Sequence, residues 1–133
     1  MAHVYVVNLG PSVLTNYLLA AGNAPIYMGW GTGAGNTAKT DTTLFNEVAL
    51  DLVTTTGTRQ TGVGTRATVT QTNDEWIVTA TFIAALDGTV TNAGLFDNPT
   101  IGSGTMFAKG DHTPQALFQF DSITYHIQVP ISI

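Results

Sequence analysis

Across residues 121–133 apolar and polar side chains alternate: Ile123, Tyr125, Ile127, Val129, Ile131 and Ile133 fall on one side, Thr124, His126, Gln128, Pro130 and Ser132 on the other. A period of two marks a strand with one buried face. Pro130 has no N–H to give to a ladder, so the end of this strand is expected at a sheet edge or a bulge. Residues 75–84 repeat the pattern, with Trp76, Val78, Ala80, Phe82 and Ala84 facing one way and Thr79 and Thr81 the other. Trp76 and Phe82 are therefore expected in the core.

The remaining apolar runs are shorter. Residues 4–7, 25–30, 50–58, 63–72, 90–96, 105–109 and 117–120 read as strands, separated by turn formers such as Asp87-Gly88, Asn98-Pro99 and Gly102-Ser103-Gly104. One segment has a different period. Val13, Leu14, Tyr17, Leu18 and Ala21 lie on one face of a helix, preceded by the breaker Gly10-Pro11-Ser12 and stopped by Gly22-Asn23. These elements predict an all-β chain, a single-domain β-sandwich or barrel of about eight short antiparallel strands with one short N-terminal helix. The expected division is one β-domain over 1–133, with 1–24 an N-terminal arm and helix and 29–42 a Gly-rich loop. Residues 1–10 and that loop are expected to be mobile.

Composition agrees with a β-rich chain and adds a second feature. Threonine, whose branched Cβ suits a pleated surface, is the commonest residue, and only 10% of the 133 residues are charged. So few charges suit a protein that spends its life against neighbours. The net charge is −5, and Lys39, Arg59, Arg66 and Lys109 form no run, which argues against a nucleic-acid partner. Cysteine is absent, which excludes disulfides and thiolate metal sites. The first residues lack a signal-peptide pattern and no apolar run reaches membrane-spanning length, so a soluble protein made in the host cytoplasm, with no membrane partner, is expected.

Candidate chemistry is sparse. Gly29, Gly31, Gly33 and Gly35 alternate and so match neither the dinucleotide fingerprint nor the phosphate-binding loop. His3, His112 and His126 show no metal-ligand spacing, and His126 on the polar face of the last strand reads as a hydrogen-bonded surface residue. Asp111-His112 point to opposite faces if the segment is extended. Gly102-Ser103-Gly104 is not a nucleophile elbow. An acid pair for hydrolysis would have to be assembled by folding, with Asp97, Asp111 and Asp121 as the residues to test. No catalytic set, metal site or cofactor is expected. Trp30, between Gly29 and Gly31, has two readings: a plug in the end of the core, or an anchor for a partner contact.

A resemblance adds a functional expectation. The stretch from Ile26 through Gly29-Trp30-Gly31-Thr32-Gly33, followed by Thr40-Asp41-Thr42-Thr43-Leu44-Phe45-Asn46-Glu47, resembles a pattern in small structural proteins of tailed bacteriophages. Ala93-Gly94-Leu95-Phe96-Asp97, Gly104-Thr105-Met106-Phe107-Ala108-Lys109 and Asp121-Ser122-Ile123-Thr124 are similar to the same proteins. The resemblance spans residues 25–133 and departs from the pattern in lacking basic residues after Glu47 and in having Pro130. It implies a virion protein without enzymatic activity. The first expectation is a capsid decoration (cement) protein on the head surface that binds the major capsid protein and copies of itself as a trimer. The alternative is a tail-tip or fibre module for a receptor or carbohydrate, with Trp30 and loop acids lining a groove.

Overall fold

The computed structural model describes residues 3–54 and 56–131, in nine strands and one helix. In chain order they are β1 (His3–Val6), α1 (Gly10–Leu18), β2 (Tyr27–Gly31), β3 (Glu47–Val48), β4 (Gln60–Thr61), β5 (Val63–Ala67), β6 (Glu75–Ile83), β7 (Gly88–Phe96), β8 (Met106–Leu117) and β9 (Ser122–Pro130). Two antiparallel sheets form a sandwich-like fold. The larger has the order β1-β8-β7-β2-β3, with β4 also pairing β2, and the smaller is β5-β6-β9.

The alternating segments build the smaller sheet as their period requires. Val78, Ala80 and Phe82 of β6 and Tyr125, Ile127 and Val129 of β9 are buried in one cluster with Met28, Trp30, Leu95 and Phe107 of the larger sheet. Trp30 stacks on Phe82 across the two sheets, ring centroids 4.5 Å apart. On the solvent face, Thr79 meets His126 and Thr81 meets Thr124 in cross-strand hydrogen bonds of 2.9 and 2.8 Å. β9 is an edge strand and Pro130 is its last residue, so the missing N–H falls where the sequence places it. Ile131 lies past the strand and is exposed, while Ser132 and Ile133 are outside the described residues.

Several boundaries differ from the sequence reading. The helix starts at Gly10 and stops at Leu18, before Gly22. Its end is a Schellman turn: the Ala20 N–H donates to the Tyr17 carbonyl, the Ala21 N–H to the Asn16 carbonyl, and Ala20 has φ 56°. Among the described residues of 50–58, which leave out 55, no strand forms, because Asp51 accepts the Val53 N–H and closes a turn that drives Leu52 into the core. The strand in 63–72 ends at Ala67, where Asp74 gathers the N–H groups of Val69, Thr70 and Gln71. Residues 117–120 are the end of β8 and a turn.

The Gly-rich stretch 29–42 is not a free loop. Gly29 and Gly31 lie in β2, between β7 and the β3 and β4 strands. A Cβ on Gly33 would sit 2.8 Å from the Phe45 carbonyl carbon, and one on Gly31 would strike the Phe45 carbonyl oxygen. The glycines are required by close backbone approach. Nor are residues 3–10 a loose arm: β1 pairs with β8, and the Asn8 N–H donates to the Lys39 carbonyl.

Candidate functional site

Trp30 is 1% exposed, and its indole N–H donates to the Ala49 carbonyl at 2.9 Å. It is a core residue, and the partner-anchor reading fails because the second sheet covers its ring. The groove that Trp30 and the loop acids would line is not built. Asp41, the acid of that stretch, is engaged with Lys109 at 2.9 Å.

The two buried cations fix the connections. Lys109 is fully buried, bonded to Asp41 and to the Thr43 carbonyl, with its ammonium 3.2 Å from the Phe45 ring centroid. It holds the 32–46 connection against the larger sheet. Burial alone would raise the Asp41 carboxyl, but the Ala38 N–H and the Lys109 ammonium outweigh it and hold the group below its ordinary value. Arg59 forks onto Glu47 at 2.8 and 2.9 Å and donates to the carbonyls of Asn98, Thr100 and Ser103, over the face of Phe96. Asp74, accepting three backbone N–H groups and the Thr70 hydroxyl, is also held well below the usual carboxylate range.

The other candidates serve locally. Asp97 accepts the Thr105 N–H, Asp111 the Thr37 N–H and Asp121 the Phe118 N–H. Each of these acids closes its own turn or connection. His112 Nδ1 faces the Thr113 carbonyl and can only donate to it, and Nε2 is hydrogen-bonded with the Tyr125 hydroxyl at 2.7 Å, as acceptor when the ring is neutral. Burial pushes the Tyr125 phenol up and keeps it protonated for that bond. His126 is hydrogen-bonded on the surface. Of His3 only the backbone is described, in register with Asp111.

The surfaces that stand out are apolar. α1 carries no charged residue, and although Val13 is buried, Leu18 is 82% and Leu19 is 72% exposed. The helix covers only part of its apolar stripe because its start is jammed onto the sheet: a Cβ on Gly10 would sit 2.6 Å from the Phe107 carbonyl oxygen. Between the helix and the smaller sheet lies a groove of about 570 Å³, walled by Leu14, Tyr17, Ile26, Trp76, Phe107 and Val129, with Arg66 and Glu75 also in its lining. A cavity of that size falls within the roughly 300–1,000 Å³ of ligand-binding clefts.

A second apolar surface lies at the other end of β9. The turn entering that strand presents Phe118, 67% exposed, and Phe120, 77% exposed, beside Ile83 and Leu86. Hydrogen bonds from Phe120 N–H to the Ala84 carbonyl and from Gln119 N–H to Asp87 hold the two turns together. The groove meets β9 at Val129 and Pro130, so its nine residues separate the two surfaces. At roughly 3.3 Å per residue that is about 30 Å. The sequence pattern hid both surfaces: the helix stripe shows only which residues share a face, and Phe118 and Phe120 read as parts of a strand. Comparison with protein-family models, curated proteins and solved structures found no match for this chain.

Proposed function

We propose that this chain is a structural protein of a virion that works by association, as a head decoration protein bound to major capsid subunits and to copies of itself. The observation that carries the associative part is the exposure of large apolar side chains in two compact surfaces, on a domain whose connections are already clamped by buried ion pairs. Contiguous apolar surface of this kind marks interaction sites. Its cost to a free monomer is relieved when a partner covers it. The resemblance of residues 25–133 to small phage structural proteins supplies the virion part. The burial of Trp30 removes the feature that favoured a tail-tip carbohydrate module.

The test is location. Antibody to the chain, gold-labelled and applied to virus particles released by the cells that make it, is expected to mark the heads. Label confined to tails would move the protein there, and unlabelled particles would overturn the virion reading.

A further inference from the structure

We propose that the two apolar surfaces are the two halves of one contact, the Phe118–Phe120 turn of one copy seating in the α1 groove of the next. This rests on the associative reading above and names its partner as a second copy of this chain. Three observations point to it: shape, charge and area.

The α1 groove is a concave cleft of about 570 Å³, and the exposed rings of Phe118 and Phe120 are side chains that can enter it, although Phe120 also borders a depression on its own face. Two grooves facing each other would leave both cavities empty. Charge separates the remaining choices. The turn region carries Asp87 and Asp121 and no base across residues 83–87 and 117–122, so two turns meeting would bring four carboxylates together. The groove carries Arg66, and among the described residues the ion pairs are Arg59–Glu47 and Lys109–Asp41, which leaves Arg66 free for a carboxylate from another copy. Glu75 shares that lining and tempers the attraction without reversing it.

Area gives the scale. Ile83, Leu86, Phe118 and Phe120 are 59%, 44%, 67% and 77% exposed. At roughly 150–250 Å² per large side chain the turn offers about 500 Å². The groove with Tyr17, Leu18 and Leu19 offers a similar amount, so the contact buries about 1,000 Å², the lower limit for a specific interface. Because the halves are different surfaces about 30 Å apart on one copy, the contact is heterologous. A pair keeps one free half on each copy, so the contact either closes into a ring or propagates as an open row.

The experiment uses two variants of the full chain, Leu18→Asp and Phe120→Asp. Both positions are surface-exposed, so both should keep the wild-type circular dichroism; Asp also tolerates the positive φ of 72° at Phe120. Wild type is expected to grow in sedimentation velocity with concentration up to roughly 100 μM, and each variant to associate at least about thirtyfold more weakly. Mixed, they should recover one discrete 1:1 dimer, because L18D keeps an intact turn and F120D an intact groove. A mixture that stays monomeric overturns the contact, as does a wild type that is monomeric throughout. F120D associating like wild type while L18D does not would show a groove-to-groove pair instead. Labelled heads with monomeric protein would sink this contact alone; unlabelled particles with intact self-association would sink the virion reading alone.

Discussion

Replacing Arg59 by Met should be the most damaging single change outside the hydrophobic core. The guanidinium is 2% exposed and its partner Glu47 12%. Removing one member of a buried pair strands the other, at a cost of roughly 3–5 kcal/mol. Three carbonyls, of Asn98, Thr100 and Ser103, lose their donor as well. Thr100 and Ser103 are exposed residues, so water can reach their carbonyls and they add little. Met refills most of the volume and keeps a contact with Phe96. The expected loss is therefore about 3–4 kcal/mol, a large part of the roughly 5–15 kcal/mol that holds a domain folded. For a chain of this size the melting temperature should fall by about 10–15 °C. Urea denaturation followed by circular dichroism measures it as a lower midpoint at unchanged slope. Replacing Glu47 by Leu in the same chain should recover part of the loss, since an apolar pair replaces a half-pair. A loss below about 1 kcal/mol for R59M would refute the claim that this pair clamps the 98–103 turn.

Other outcomes follow from single residues. Ala20→Gly should stabilise by about 0.5–1 kcal/mol, because Ala20 is exposed and holds φ 56° at the helix end; a destabilisation in urea would refute the Schellman ending. Asp41 and Asp74 are both lowered on folding, so each binds fewer protons folded than unfolded in acid. Their contribution is complete above the ordinary value of 3.8 and is lost as pH falls below it, so the urea midpoint should drop steeply from about pH 4 downward. In D74N that drop should be shallower. Trp30→Phe leaves Trp76, in the groove wall, as the only indole, and its emission should shift to the blue as concentration rises. Constant emission while the protein associates would place the contact elsewhere.

How much of this was legible in the sequence depends on the kind of signal. β6 and β9 were readable because each buries one face, and a period of two then has a single meaning. The stretch 29–42 reads as a loop in the sequence because glycine reports close approach and mobility with the same letter. Only the fold shows the Phe45 backbone lying against it. Trp30 was ambiguous for the same reason, since its neighbours gave no face. The helix stripe is present as its period requires, but periodicity says which residues share a face, not whether anything covers it, and Leu18 stays exposed. Arg59 and Lys109 were visible as isolated cations, but their acids lie 12 and 68 residues away in sequence and no local pattern joins them.

The most direct test of the central claim asks which surfaces meet. The chain has no cysteine, so single thiols can be placed without interference. Leu18→Cys and Phe120→Cys, each purified alone and then mixed, should be joined by a short thiol-reactive cross-linker into a dimer containing one copy of each, identified by mass. Cross-linking of L18C to itself, or of F120C to itself, with no mixed dimer would contradict the account.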